Sequence, residues 1–413
     1  MIMMHHLLAA LVLVLGSSPA AAQSLTLTNL KGPVARACGT AEAKSIPDLW
    51  RQLKACAAPG KAPEPMAPSL AQATMPAWGT GQIPREYDPN EGAFRFICGG
   101  DGPLAYDDPI VYPGRPGAAH LHQVWGNKLF DADLTTDRLL ASAPSNCNET
   151  PHSLNRSSYW QPALIHDSGE VVRPDLVSVY YKRKRAGSPY CAPGGAQPLG
   201  ICVELPARLR FVMGWDQTRP TAPFEGASWY CTGAEGHHRD LDAIFAAGCK
   251  AGDDLIADTV GPNCWDGKNL DSPDHRSHMS HMVQSANGGR GGCPATHPYL
   301  IAQQQNKAQF KVTADMIGTR PDGTRFSRVS LSSDHMLPGA KPGATLHADY
   351  MEGWLAEGRK VWHDHCIDKG LDCSGGDLGN GRMLHGAREP VYGWVHPRPR
   401  AAMPPKPAGH AGH

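Results

Sequence analysis

The sequence predicts a mainly β, loop-rich domain that resembles a β-sandwich, with a few short helices and a framework of disulfide bonds. Short runs rich in β-branched and aromatic residues, at residues 177–181, 209–213, 310–316 and 326–331, are separated by Gly, Pro, Asn and Asp. This alternation is typical of strands and turns. Glycine and proline number 45 and 37 among 413 residues, without a repeating period, which favours many loops. Helical patterns are few, at residues 46–57, 241–247 and 352–365.

The N-terminus has the layout of a secretory signal peptide. An apolar run at residues 7–15 is followed by Ala20-Ala21-Ala22, so we expect cleavage after Ala22. The run is shorter than the roughly 20 apolar residues of a spanning helix, although the lack of Lys or Arg in residues 1–6 leaves a membrane anchor as the alternative. The chain is therefore expected to be secreted or periplasmic and to have no membrane span.

The cysteine content supports export. All twelve cysteines lie beyond Ala22, and an even number in an exported chain predicts disulfides, here up to six. A zinc cluster would need cysteines two to four residues apart, and the closest pair, Cys366 and Cys373, is wider than that. We expect Cys38 and Cys56 to close the N-terminal extension, and the sequence leaves the other pairings open.

Composition divides the chain into four regions. Residues 1–22 are the signal peptide, and residues 23–90 form an extension with one helix and a Pro/Ala-rich linker. Residues 91–397 form the main domain, and the Pro/His-rich tail at 398–413 is expected to be disordered. Lys plus Arg equals Asp plus Glu, 39 each, so no net field recruits nucleic acid. The basic run 182–185 is interpreted as a charged strand end that blocks edge pairing rather than as a polyanion site.

Histidines and acids are concentrated in three loop segments. In an extended chain His120 and His122 project from one face, which would supply half of a metal site. The alternative is a pair of buried histidines bonded to the backbone. In the same way His347 and Asp349 would share a face, unless Asp349 caps the helix after it. The third segment, residues 264–281, holds Asp266, Lys268, Asp271, Asp274, His275 and His278.

In a helical turn His275 and His278 would share a face. A loop as dense in ionisable groups as residues 264–281 favours a functional site over a plain solvated loop.

Six ordered motifs between Cys98 and Cys373 resemble one known family. They are Asp108-Pro109-Ile110-Val111, His120-Leu121-His122-Gln123 with Gly126-Asn127, Tyr159-Trp160-Gln161-Pro162-Ala163-Leu164, Cys264-Trp265-Asp266-Gly267 through His278-Met279, Cys293-Pro294-Ala295-Thr296-His297-Pro298, and His347-Ala348-Asp349 with Gly353-Trp354. The chain resembles a secreted family of fungi and bacteria known as domain of unknown function 1996 (DUF1996).

The resemblance implies a cell-wall or polysaccharide setting, because members often sit beside carbohydrate-binding modules. The chain departs from the family pattern in its N-terminal extension, in its tail, and in Trp125, where a Phe is usual.

The first functional hypothesis is a metal-dependent enzyme that acts on extracellular polysaccharide. Glycosidic cleavage generally needs two carboxylates, here drawn from Asp266, Asp271, Asp274 and Asp349. One divalent transition metal, zinc or copper, would be bound by His120, His122, His275, His278 and His347. Substrate contacts would come from Trp125, Trp160, Trp265, Lys268 and Trp354, although the tryptophans could equally form a packed core.

Two other hypotheses stay open. A non-catalytic module could use the same residues to bind a glycan or a metal ion. A copper-handling protein would add Met279, Met282, His410 and His413 as ligands. The sequence lacks a Gly-x-Ser-x-Gly elbow, a phosphate-binding loop, a dinucleotide fingerprint and a Cys-x-x-Cys pair, so we expect no nucleotide cofactor. The reaction, the substrate and the oligomeric state are not encoded in these patterns.

Overall fold

The computed structural model describes residues 69–77, 82–142, 144–147, 152–191, 199–283, 291–385 and 399–407. The strands are β1 Thr74–Pro76, β2 Glu91–Gly99, β3 Leu104–Ala105, β4 His122–Gly126, β5 Ser158–Pro162, β6 Leu164–His166, β7 Glu170–Val172, β8 Leu176–Lys184, β9 Ile201–Cys202, β10 Arg210–Gly214, β11 Ala227–Cys231, β12 Ala234–His238, β13 Asp254–Val260, β14 Cys264–Trp265, β15 Met279–Ser280, β16 Tyr299–Leu300, β17 Gln303–Lys311, β18 Ile317–Thr319, β19 Arg325–Ser327, β20 Val329–Leu331, β21 His347–Met351, β22 Asp372–Cys373, β23 Arg382–Leu384 and β24 Ala401–Ala402. The α-helices are α1 Leu70–Ala73, α2 Thr136–Ala141, α3 Leu241–Ala246 and α4 Ala356–Trp362; Ala314–Met316 and Asp334–Met336 are 3₁₀ turns, and His363–Ile367 is a π-helical turn.

Two large sheets form the framework. One has seven strands in the order β12-β11-β13-β17-β8-β2-β22, and the other has five in the order β10-β21-β5-β4-β3. Strand β17 alternates half-buried and buried residues along its whole length, as expected when one face of a sheet packs on a core. The arrangement confirms the predicted mainly β fold class.

Aromatic residues fill the space between the two sheets. Tyr181 of the seven-stranded sheet lies edge-on to Tyr350 of the five-stranded sheet, with ring centroids 6.3 Å apart. Its hydroxyl lies 2.7 Å from the hydroxyl of Tyr159, donates to the hydroxyl of Tyr350 at 3.1 Å and accepts the indole N–H of Trp354 at 3.3 Å. Each of these buried polar groups therefore has a partner, which offsets the cost of removing it from water.

Five disulfides join cysteines of the described residues, which confirms the predicted framework. They are Cys98–Cys147, Cys191–Cys202, Cys231–Cys249, Cys264–Cys293 and Cys366–Cys373. Cys38, Cys56, the signal peptide and the helix expected at residues 46–57 lie outside the described residues.

Several predicted boundaries change in the structure. The strand expected at 310–316 ends at Lys311, because Thr313 starts a 3₁₀ turn and its hydroxyl bonds to Asp315 at 2.6 Å. The strand expected at 326–331 is interrupted at Arg328, whose backbone N–H donates to Met316 rather than to a neighbouring strand. The helix expected at 352–365 begins only at Ala356.

The basic run lies in an inner strand rather than at an edge, because β8 pairs with β17 on one side and with β2 on the other. The edge-blocking interpretation is therefore wrong. Three of its four cations have acidic partners nearby instead: Lys182 contacts Glu86 at 2.9 Å, Arg183 contacts Asp368 at 2.6 Å and Lys184 contacts Asp88 at 2.6 Å.

Both chain ends contribute strands. In the expected extension, β1 pairs with β23, and in the expected disordered tail, β24 pairs with β7. Arg400 supports this second pairing through Asp315 at 2.7 Å, so the tail is ordered at least over these residues. Among the described helices, none is long and apolar enough to cross a membrane.

Replacing Tyr181 with Phe should destabilise the fold. The substitution leaves the Trp354 N–H and the Tyr159 hydroxyl without their buried partner, at a cost of about 1–3 kcal/mol. Urea unfolding should show a lower midpoint with an unchanged slope. Tyr87→Phe is the matched control, since Tyr87 is 99% exposed and its substitution should leave the midpoint in place. Equal midpoints for both variants would contradict the role of the hydroxyl cluster.

Candidate metal and acid–base site

The register of three antiparallel strands places the site on the outer face of the five-stranded sheet. Trp160 of β5 lies opposite Val124 of β4 and opposite Asp349 of β21. Residues two positions away on the same strands point to the same side. His122 and His347 therefore join Asp349 on this face, while the tyrosines point to the opposite face and into the core.

Three histidines meet at this face. One ring nitrogen each of His120, His122 and His347 lies within 4.8 Å of the other two. The ring centroids of His120 and His122 are 4.2 Å apart, and those of His120 and His347 are 5.1 Å apart. The expectation that His120 and His122 share a face agrees with this geometry. His122 and His347 are buried and His120 is half-buried.

Backbone carbonyls orient two of the rings. The Nδ1 of His122 donates to the carbonyl of Asp107 at 3.0 Å, and the Nδ1 of His347 donates to the carbonyl of Thr345 at 2.8 Å. Because a carbonyl can only accept, the proton is on Nδ1 and the lone pair is on Nε2. Metal-ligating histidines are commonly oriented in this way. The buried Nε2 atoms of His120 and His122 have no hydrogen-bond partner.

The surroundings keep these imidazoles neutral. Burial lowers the pKa of His122 to about 4 and the pKa of His347 to about 3. The pKa of His120 lies well below its usual range, first through burial and then because a protonated His120 would be repelled by protonated His122 or His347. A neutral imidazole is the form that binds a metal ion.

Two aspartates border the histidines. One ligand atom each of Asp108, His122 and Asp349 lies within 4.8 Å of the other two. Neither oxygen of the buried Asp349 has a hydrogen-bond partner, and burial together with the charge of Asp108 raises its pKa well above the usual range. Asp349 lies inside β21, and Leu355 caps the following helix, so the interpretation of Asp349 as a helix cap is wrong.

The sequence patterns did not single out Asp108 as a site residue. The Asp108-Pro109 motif was the one signal that could have identified it. One of its oxygens accepts the N–H groups of Ile110 and Val111 at 2.9 and 2.8 Å. Burial raises the pKa of Asp108, against the lowering effect of these hydrogen bonds and of the charge on His275. The turn that begins at this residue thus delivers a second carboxyl group to the histidine cluster.

The 264–281 loop reaches the site through its backbone. The carbonyl of His275 accepts the N–H of Val212, which lies opposite Asp349 in the sheet. No helical turn forms, since His275 has a φ of 56°, and the shared-face prediction for His275 and His278 is wrong. His278 instead bonds to the Ser272 hydroxyl at 2.8 Å and to the Arg210 carbonyl at 2.9 Å.

His275 forms a hydrogen bond with Asp271 outside the histidine cluster. Its Nδ1 lies 2.8 Å from one Asp271 oxygen, and Arg210 contacts the other oxygen at 2.8 Å. Neither His275 nor His278 belongs to the groups of close ligand atoms among the described residues.

The other two candidate acids shape the loop. Asp266 accepts the N–H groups of Lys268 and Asn269 at 2.8 and 2.9 Å, and Asp274 accepts the N–H of Ser277 at 2.8 Å. Burial raises the pKa of each carboxyl, but these hydrogen bonds outweigh it and lower both pKa values. Asp266 and Asp274 therefore stabilise turns, whereas Asp349 in the five-stranded sheet has a raised pKa.

Comparison with known families assigns this domain. The family model described as Domain of unknown function (DUF1996) matches residues 108–354, more than half of the chain. The chain belongs to this family. The DUF1996 match begins at Asp108 and extends past Asp349, so it contains both aspartates and all three clustered histidines. No curated protein and no solved structure matches the chain.

Most of the tryptophans of the DUF1996 domain are core residues. Trp125, Trp160 and Trp354 are no more than 1% exposed, so the expectation that they stack on a sugar ring is wrong. Trp265 is half-buried against Tyr299, with ring centroids 5.9 Å apart. Lys268 is exposed in the adjoining turn.

The buried histidines predict that the metal-free protein loses stability in acid. An unfolded histidine binds a proton near pH 6.5, whereas folded His122 and His347 have pKa values of about 4 and about 3. The unfolded state thus binds more protons as the pH falls below about 6.5. Above that pH the free energy of unfolding has its full value. As the pH falls towards the pKa values of the folded state, the free energy of unfolding decreases by about 1.4 kcal/mol per pH unit for each histidine.

Urea unfolding of chelator-treated protein between about pH 7.5 and pH 5 measures this effect. The variant His347→Gln should show a shallower pH dependence than the wild type. His237→Gln is the control, because His237 is exposed on β12 and its removal should leave the dependence unchanged. Parallel curves for His347→Gln and the wild type would contradict the assignment.

Proposed function

We propose that this protein is a metal-dependent enzyme acting on extracellular or cell-wall polysaccharide, with one divalent metal ion bound by His120, His122 and His347. The observation that carries the proposal is the meeting of three neutral imidazoles with ring nitrogens within 4.8 Å of one another. Three histidine ligands suit zinc or copper. A site with three protein ligands also leaves a position open for water or substrate, as catalytic zinc sites do.

Asp349 and Asp108 would supply acid–base chemistry next to the metal. A carboxyl group that holds its proton at neutral pH can donate it to a leaving oxygen. Burial and Asp108 both raise the pKa of Asp349 well above its usual range, which favours this protonated form. A cation bound by the histidines would favour the carboxylate form instead, so metal binding and the proton on Asp349 would be coupled.

His275 and Asp271 would exchange protons with the solvent side of the site. The side chain of His275 is 22% exposed, whereas Asp349 is 1% exposed. Asp271 holds the proton of His275 on Nδ1 and so leaves Nε2 available as a base, which is the role of the carboxylate in a catalytic triad. The positive φ of His275 is a strained backbone of the kind found at functional sites.

The polysaccharide substrate in this proposal is supported by the cell-wall or polysaccharide setting that the family resemblance implies. The expected signal peptide and the five described disulfides are consistent with an extracellular place of action. The buried tryptophans remove the flat platform expected from sequence, so recognition of the glycan would depend on polar and charged groups near the histidines.

One observation favours a second function, a non-catalytic metal site. His122 and Asp349 are at most 1% exposed, and a closed set of ligands is typical of structural metals. The copper-handling alternative has less support, since Met279 packs in the main core and His410 and His413 lie outside the described residues.

Metal content of the purified protein should be about one zinc or copper ion per chain, measured by inductively coupled plasma mass spectrometry. The single variants His120→Ala, His122→Gln and His347→Gln should each lose it, because each removes a ring nitrogen from the cluster. His275→Ala and the exposed control His237→Gln should retain it. A metal-free wild type, or metal retained by all three cluster variants, would overturn the proposal.

Asp271→Asn should reduce turnover without removing the metal. The amide can no longer hold the proton on Nδ1 of His275, and loss of a general acid or base costs about 10²–10⁴ in rate. The assay is release of reducing ends from a panel of polysaccharides, with Asp364→Asn as a control for a solvent-exposed acid. Full metal loading with no degradation of any polysaccharide by the wild type would favour the non-catalytic site instead.

A further inference from the structure

The C-terminal segment places a lysine beside His120. After β24 has paired with β7, Lys406 lies with its Nζ 5.7 Å from the ring centroid of Tyr106. The carbonyl of Tyr106 accepts the N–H of Ala119 at 3.0 Å, so this ring adjoins the segment that ends in His120. The exposed ammonium group of Lys406 therefore lies near the segment that carries His120.

Pro407, the residue after Lys406, packs against the loop that carries His120. A Cβ atom on Gly117 would come within 3.2 Å of Pro407 Cβ, and Gly117 itself is tied to Asp107 through its N–H at 2.8 Å. Arg400 anchors the start of the segment on Asp315 at 2.7 Å. Lys406 is therefore held at the site by contacts on both sides and is not on a free end.

An exposed histidine, His335, is connected to the residue after His120. The Nδ1 of His335 donates to the carbonyl of Ser332 at 2.8 Å, and the Ser332 hydroxyl donates to the carbonyl of Leu121 at 2.5 Å. These two hydrogen bonds connect His335 to Leu121, the residue that follows His120. The Nε2 of His335 points away from this bond and is available to a ligand.

These groups lack acidic partners. Within the described part of the chain, no carboxylate lies within 4.0 Å of Lys406 or His335. Arg276, inside the site, does have an acidic partner: its guanidinium lies 3.9 Å from Asp216 and donates to the carbonyls of Gly214 and Trp215 at 3.1 and 2.6 Å. Lys406 and His335 are therefore able to bind an external anion.

We propose that the site takes an anionic glycan, a sugar chain that carries carboxylate or sulfate groups, and that Lys406 and His335 bind the charged substituent beside His120. The inference rests on the proposed action on polysaccharide and names its substrate class. An anionic group beside Lys406 accepts a charge-assisted hydrogen bond from its ammonium group, and it accepts a second one from Nε2 of His335 when that ring is protonated. The proposed metal ion would add positive charge at the same site. This charge would steer a polyanion towards the site.

Affinity gel electrophoresis with three soluble polymers tests the inference. Polygalacturonate presents carboxylates, dextran sulfate presents sulfates, and dextran is the neutral reference. The full chain should be retarded by one of the anionic polymers at least tenfold more strongly than by dextran, and the retardation should weaken with added NaCl. Which polymer binds identifies the anionic group.

The double variant Lys406→Gln/His335→Gln should lose at least fivefold of this binding and keep its metal. Lys250→Gln is the matched control, because Lys250 is an exposed lysine next to Cys249, which is bonded to β11 near the edge of the seven-stranded sheet. Equal retardation by dextran, unchanged binding by the double variant, or equal losses in the double variant and the control would overturn the inference.

Metal content separates the two proposals. Selective anionic binding that depends on Lys406 and His335 in a metal-free wild type would support the glycan inference and remove the metal-dependent function. A metal-loaded protein without selective anionic binding would remove the glycan inference and leave the metal centre.

Discussion

The pairing of β21 with β5, with Asp349 opposite Trp160, is the constraint on which the rest of the site depends. It brings His347 and Asp349 next to β5, which also pairs with β4, the strand that begins at His122. Side chains alternate along a strand, so a shift of one residue would turn both groups to the opposite face. There they would enter the aromatic core instead of meeting His120 and His122.

The core on the other face holds this register in place. Tyr159 and Tyr350 are neighbours across the same two strands and stack with ring centroids 5.2 Å apart. Their hydroxyls share a hydrogen-bonded cluster with Tyr181 of the opposing sheet. A shifted register would break this packing and leave buried hydroxyl groups unpaired. The hydrophobic core between the sheets and the polar site outside them are therefore specified by one set of strand pairs.

The polar groups of the site differ in what they contribute to the folded state. Asp266 and Asp274 accept backbone N–H groups and stabilise the loop that carries them. Asp349 and the free ring nitrogens of His120 and His122 make no such bonds, and burial of unpaired polar groups costs free energy. Apolar residues such as Ile110, Val124 and Met351 pack around Trp160 on the same face, which keeps water away and increases that cost. A bound cation would offset this cost, which couples the proposed metal to the buried acid.

The sequence by itself determined the fold class, the disulfide framework, the family and two local pairs. His120 with His122 and His347 with Asp349 follow from the period of two in an extended chain, which depends only on neighbouring residues. The tertiary structure alone decided how these pairs combine, because His122 and His347 meet only through the strand between them. It also selected Asp349 from four candidate acids, added Asp108, moved His275 and His278 out of the cluster and buried three tryptophans. Burial and long-range strand pairing set the chemistry of these side chains, and neither is a local property of the sequence.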